Sequence, residues 1–289
     1  MSELFQFQIP EETSNWMAWL YLLQSLVLLA IGSIAFALLR KVKLAHQLAE
    51  KDNPAFAISY GGFLGALSLV IAAVLTSPSQ AESWQGEFLS SLYWNGGSLL
   101  LLLAALLVND FVIFSKFSNR KEILTDRNCG LAAVEAGTFL GTALLISASL
   151  SEQHGPAPLG EPWLTLLYFV LGQALFLLYA RLYPFVTSLD LHGELEKDNP
   201  AIGLAYGGSL LAFAWLVGEA MRNYDSLTTI FLVAILYIIV LGVLRQLAHL
   251  LIVRKVSLQH ELSQDRNWGI GLLEAVLTLV VAVFLTSSW

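Results

Sequence analysis

Eight apolar stretches, each close to the length that crosses a bilayer, constrain this chain more than any other feature. A bilayer core takes about 20 apolar residues of helix. Runs of that kind occupy residues 16–39, 55–75, 92–114, 129–150, 163–186, 201–217, 227–244 and 268–285. Two are diluted by Gly and Ser, from Ser59 to Ser68 and from Gly137 to Ser149. A soluble reading would bury all eight in one core, and composition argues against it. Charged residues make up 13 % of the chain, where a soluble domain carries about 25 %. Water-facing surface needs that charge and lipid-facing surface does not. The expected fold class is all-α: a polytopic membrane protein of about eight transmembrane helices.

The ends and the cysteine content add little. No basic segment precedes the first apolar run, which is too long for a signal h-region, so no cleavable signal is expected. A single cysteine, Cys129, excludes an intramolecular disulfide framework and a multi-cysteine metal site.

Charge placement predicts the topology. With eight spans the connections fall into two alternating sets. One set holds Arg40, Lys41, Lys43, Lys51, Lys116, Arg120, Lys121, Arg127, Arg181, Lys197, Arg245, Arg254, Lys255 and Arg266. That is fourteen of the fifteen basic residues; only Arg222 falls on the other side. An excess of Lys and Arg marks cytoplasmic loops, so both termini are expected outside the cytoplasm. Glu3, Glu11, Glu12, Glu82, Glu87, Glu152, Glu161 and Asp225 then lie on the outer side, with Glu219 near a helix end. Trp16, Trp19, Trp84, Trp94, Trp163 and Trp289 cluster near the outer ends, as an interfacial aromatic belt does.

The chain also repeats itself. Glu50-Lys51-Asp52-Asn53-Pro54-Ala55, followed by Tyr60-Gly61-Gly62, recurs 146 residues later as Glu196-Lys197-Asp198-Asn199-Pro200-Ala201 and Tyr206-Gly207-Gly208. Asp126-Arg127-Asn128, with Gly130 and Glu135 after it, recurs 139 residues later as Asp265-Arg266-Asn267, Gly269 and Glu274. Two ordered motifs in both halves imply tandem four-helix repeats, residues 1–155 and 156–289. An even number of spans per copy gives the copies the same orientation, related by an axis along the membrane normal. A weaker echo lies within each copy, because Asn53, Asn128, Asn199 and Asn267 each open a shorter, Gly-rich span. Asn accepts from the unpaired N–H groups of a helix start, and Pro54 and Pro200 suit the first helical position. Helix capping therefore accounts for much of the motif, and a functional role for it stays open.

These paired motifs resemble the YjfL-like bacterial inner-membrane proteins, a domain of unknown function, here in duplicated form. The resemblance spans nearly the whole chain. It implies a bacterial inner-membrane location and a loose association with envelope-stress and membrane-remodelling systems. It implies no activity, so no catalytic residue is assigned and no enzyme is expected.

Charges inside the spans are the sharper signal. Glu135 and Glu274 each lie seven residues past their Asn, about 10 Å into the helix at ~1.5 Å per residue. A carboxylate at depth marks a polar cavity, a proton relay or an ion path by default. Tyr60 and Tyr206 also lie seven residues past an Asn, so a phenol is placed to hydrogen-bond each carboxyl. Asp110 in the first copy corresponds to His249 in the second, each six residues before a Lys. Arg245, one turn from His249, is placed to neutralise a carboxylate instead. The bland alternative is that the glutamates bridge helices, and a ligand-sensing site is the third.

Other chemistry is weak. His46 sits four residues before Glu50, and with His192 and His260 would be a loop metal site; loop histidines are usually solvated, so neither metal nor cofactor is expected. There is no zinc-protease helix, nucleophile elbow or phosphate loop. The scattered basic residues are explained by topology and anionic lipid, not nucleic acid. Two functions remain. The first is a small-solute or ion permease or channel around Glu135, Glu274, Asp110 and His249. The second is a non-transporting scaffold or envelope-stress component that recruits a peripheral membrane protein through its cytoplasmic loops. The lipid bilayer is the expected partner, and homo-oligomerisation is open.

Overall fold

The computed structural model describes residues 15–77, 81, 83–115, 118–150, 162–187, 189–252 and 257–287. Glu3, Glu11, Glu12, Glu82, Lys116, Glu152, Glu161, Arg254, Lys255 and Trp289 lie outside them, as does the side chain of His249. The regular structure of the described residues is all helical, and eight helices are long and apolar enough to cross a membrane. These are α1 (Asn15–Arg40), α2 (Pro54–Thr76), α3 (Trp84–Val112), α5 (Cys129–Ser149), α6 (Pro162–Thr187), α8 (Pro200–Asn223), α9 (Leu227–Ile252) and α11 (Trp268–Ser287). Between them, at the basic end of the bundle, lie a π-helical turn (His46–Glu50) and the short helices α4 (Asn119–Leu124), α7 (Leu191–Glu196) and α10 (Leu258–Ser263).

Three spans run further than hydropathy alone suggests, each for a local reason. Helix α3 begins at Trp84 because the Ser83 hydroxyl caps its first turn, accepting from the Gly86 N–H. Helix α8 continues past Val217 because Glu219 and Arg222 pair at 2.7 Å. Helix α9 continues past Arg245 because that guanidinium meets Glu274 on α11. A charge reads as the end of a span only while its partner is unknown.

The sequence echo proves to be structural. A long helix, a short helix or turn, and an Asn-capped helix recur four times. The capped helices form a row in which α2 packs on α5, α5 on α8 and α8 on α11. All four start at the basic end. The side chains of Asn53, Asn128, Asn199 and Asn267 accept from backbone N–H groups two or three residues ahead. The residue before each Asn is left-handed, with φ of 47° at Asp52, 58° at Arg127, 51° at Asp198 and 47° at Arg266. This region normally favours Gly and Asn. Here the side chain is what the position uses. Arg127 donates to the Lys51 carbonyl, Arg266 to the Lys197 carbonyl, and Asp198 accepts from the Gly130 N–H.

Close approach within the row depends on missing side chains. A Cβ on Gly137 would lie 2.5 Å from the Gly207 carbonyl, and one on Gly208 would lie 2.3 Å from Ala275 Cβ. In lipid, where no hydrophobic force separates helix from tail, such contacts carry association. In the most apolar 18 residues of each span, 72 % and 78 % are buried in the inner helices α5 and α8, against 33 % and 28 % in the end helices α2 and α11. Outward faces, such as Trp19 and Leu38 on α1 or Leu232 and Ile239 on α9, are apolar and exposed. That arrangement suits a bilayer and not water.

Candidate functional site: two buried carboxylates

Glu135 projects from α5 into a polar cluster assembled by five helices. Arg40, the last residue of α1, contacts both Glu135 and Asp110, its Nη1 lying 2.6 Å from Asp110 Oδ2 and its Nη2 3.2 Å from Oδ1. Asn119, opening α4, donates from Nδ2 to Asp110 Oδ1 at 3.0 Å and to Glu135 Oε1 at 2.7 Å. Ser59 of α2 donates to the other Glu135 oxygen. The Arg40 guanidinium also lies 5.9 Å from the Phe36 ring centre. Glu135 is 1 % exposed and Asp110 28 %, so the cluster meets its surroundings through Asp110.

Glu274 sits at the matching place in the second copy, 2 % exposed, with Arg245 Nε 2.8 Å from its Oε2. The Arg245 guanidinium lies 5.7 Å from the Tyr183 ring centre. The guanidinium arrives by another route, from the third long helix of its copy and not the first. At the repeat shifts Arg245 corresponds to Leu106, Asn119 to Leu258 and Ser59 to Ala205. Two equivalent carboxylates thus hold unequal shells. Glu135 shares Arg40 with a second acid, Asp110, whereas no other described acid meets Arg245 beside Glu274.

The structure brings Glu135 and Asp110 together, and Glu274 and Arg245. It does not pair the phenols with the carboxyls. Tyr60 donates to Ser33 Oγ at 2.9 Å and Tyr206 to the Ala180 carbonyl at 2.9 Å. Equal depth was legible in the spacing, but rotation about the helix axis was not. One residue earlier on α2, Ser59 faces α5, while Tyr60 turns to α1 and packs beside Phe36 and Phe56. His249 lies on α9, and its side chain is outside the described set.

Sequence reasoning missed Arg40, Asn119 and Ser59. Arg40 read as a loop charge, and no local pattern in Asn119 or Ser59 marks a carboxylate partner. A separate polar contact joins the copies: Gln173 Nε2 donates to Asn109 Oδ1 at 2.8 Å, and Thr142 lies beside both at 3.4 Å. The paired motif residues Asp126 and Asp265 meet Lys121 at 3.2 Å and His260 at 3.5 Å. His46 and Glu50 do meet on one face, at 2.8 Å.

The space around these groups limits their chemistry. The pocket touching Glu135, Arg40 and Ser59 has a volume of about 10 Å³, room for one water molecule at most. A larger pocket, about 510 Å³, reaches Tyr206 and is lined by Arg181, Asp190 and His192, with neither glutamate on its wall. A third, about 490 Å³, lies between the π-helical turn and α4 and is strongly basic, with Lys41, Lys43, Lys51, Arg120 and Lys121 on its walls.

A family model described as Domain of Unknown Function (DUF350) matches twice, over residues 10–150 and 158–289. The chain belongs to the DUF350 family. The double match agrees with the tandem repeat. The chain is similar to a UPF0719 transmembrane protein of Aquifex aeolicus (strain VF5), 25 % identical over 258 residues, covering 86 % of this chain and 90 % of that protein. No solved structure matches. A family of unknown function is what the motif resemblance implied; neither match carries the narrower YjfL-like name.

Proposed function

We propose that this protein is a membrane-embedded scaffold whose buried carboxylates lock helices together, and that it carries no solute. The observation behind this reading is the water-sized pocket at Glu135, whose carboxylate is already held by Arg40, Asn119 and Ser59. A permeating solute needs a cavity of its own dimensions at the binding depth. A carboxylate saturated by fixed donors leaves little for a metal cation to take. The working surface in this reading is the basic pocket between the π-helical turn and α4, on the cytoplasmic side by the positive-inside rule. Its cations suit a peripheral protein with an acidic surface, in a bacterial inner membrane.

A second reading, proton or cation conduction, draws on one specific observation. Partly exposed Asp110 is linked to buried Glu135 by Asn119 and Arg40, a continuous polar path from the basic end to the carboxylate. Flux from proteoliposomes under imposed proton and cation gradients separates the two. The scaffold reading expects rates equal to those of protein-free vesicles. A flux carried by the wild type and abolished by Glu135→Gln overturns it in favour of conduction.

A further inference from the structure

The row of capped helices has the same joint three times and two unused ends. At each internal joint the capping Asn donates to a carbonyl of the next short helix. Asn53 reaches Ile123 at 2.9 Å, Asn128 reaches Leu195 at 2.6 Å, and Asn199 reaches Leu262 at 2.8 Å. Those three asparagines are at most 1 % exposed. Asn267, last in the row, is exposed, and among the described residues its amide donates to Glu261 of its own short helix and to no carbonyl.

The other half of the missing joint lies at the first end of the row. Each acceptor follows the residue whose side chain takes the Asn amide: Glu122, Glu194 and Glu261 precede Ile123, Leu195 and Leu262. In the first unit Gln47 takes it, so the corresponding residue is Leu48, which is exposed. The same holds for Asp198, whose carboxylate accepts from Gly130 at the joint between copies. Its counterpart Asp52 is exposed, and no described residue bonds the Asp52 side chain; the counterpart Gly269 is exposed too, its N–H turned to Asn267 Oδ1 at 3.1 Å.

We propose that copies of this chain join head to tail, α11 of one facing α2 of the next in the order in which α5 faces α8, at a wider helix spacing because Leu272 and Val276 stand where α5 has Ala133 and Gly137. The faces fit. On α2 a small row, Ala57, Gly61, Ser68 and Ala72, is exposed between Ile58 and Leu69, and a Cβ on Gly61 meets nothing within 4 Å. On α11 the outward row is bulky, with Leu272 and Val276 exposed where α5 carries Ala133 and Gly137. Ridge thus meets groove, in a lipid setting where small residues govern helix contact. Lipid alone covers an apolar face, but gives no reason for a capping amide and an acidic side chain to be left open in register. Because the two surfaces differ, the contact is heterologous, and it closes into a ring or continues as a row. This inference is independent of whether the protein conducts.

The experiment uses the full chain in its membrane, with Cys129→Ser as background. Gly61→Cys combined with Val276→Cys, treated with a short bismaleimide, should give a ladder of dimer and higher species. Each single-cysteine variant should remain monomeric on the same gel. In lipid nanodiscs the wild type should have the mass of two or more chains, and Gly61→Leu should fall to one chain while keeping its helical content and melting temperature. A wild type of single-chain mass without a cross-linked ladder overturns the proposal. So does equal cross-linking by either single variant, which would mean a symmetric contact through one face. If Gly61→Leu fails to fold, the cross-linking result decides alone.

Discussion

At the scale of single residues, the two glutamates make opposite predictions from one kind of interaction. Removing one member of a buried ion pair strands the other, at a cost of roughly 3–5 kcal/mol. Glu135→Gln leaves Arg40 with Asp110, so its cost should be nearer one charged hydrogen bond, about 1.5–3 kcal/mol. Glu274→Gln deprives Arg245 of the carboxylate it meets at 2.8 Å and should fall in the larger range. Arg40→Met should be worse than Glu135→Gln, since it leaves Glu135 and Asp110 facing each other without a cation. Thermal unfolding in one detergent gives the ranking. If Glu135→Gln proves as damaging as Arg40→Met, Asp110 does not share the guanidinium as described. A double variant, Arg245→Met with Glu274→Leu, removes both charges and should recover most of the loss from Glu274→Gln alone.

At the scale of elements, glycine position sets which helices touch. The adjacent pair Gly61 and Gly62 is a sharp contrast, because only Gly62 meets a neighbour, 2.5 Å from Ala136 by its added Cβ. Gly62→Ala and Gly137→Ala should push helices apart and lower the melting temperature or abolish folded yield, at the 1–3 kcal/mol or more typical of overpacking. Gly97→Ala on α3, where an added Cβ meets nothing within 4 Å, is the control and should be neutral or slightly stabilising. Size-exclusion yield and melting curves read both. Equal tolerance at all three positions would mean the row packs more loosely than the described contacts.

At the scale of the whole molecule, charge separation and duplication act together. The described Lys and Arg side chains gather at the end where all four capped helices begin, and Arg222, at the opposite end, pairs with Glu219. On the positive-inside rule Ser118, before α4, is expected in the cytoplasm and Ser83, before α3, outside. Cysteines at those positions in a Cys129→Ser background should differ in intact cells. An impermeant thiol reagent should label the Ser83→Cys protein and spare the Ser118→Cys protein until the membrane is opened. The reverse pattern would invert the molecule and move the basic pocket to the outer face.

What the sequence determined by itself was whatever depends on distance along the chain. Span number follows from the length of apolar runs, duplication from the 146- and 139-residue shifts, and the Asn caps from the local chemistry of a helix start. The depth of Glu135 and Glu274 followed too, since rise per residue is fixed. What only the tertiary structure decided was rotation and neighbourhood. Tyr60 and Glu135 share a depth but face different helices, so the hydroxyl at Glu135 comes from Ser59. Arg40 counted as a topology charge until folding carried it 95 positions along the chain to Glu135. Arg245 looked like the end of a span until Glu274 met it. The four-unit row was faint in sequence because its joints are hydrogen bonds to backbone carbonyls, which any residue type can supply. Partners distant in sequence are set by which faces pack, and that is a property of the assembled bundle and of no single helix.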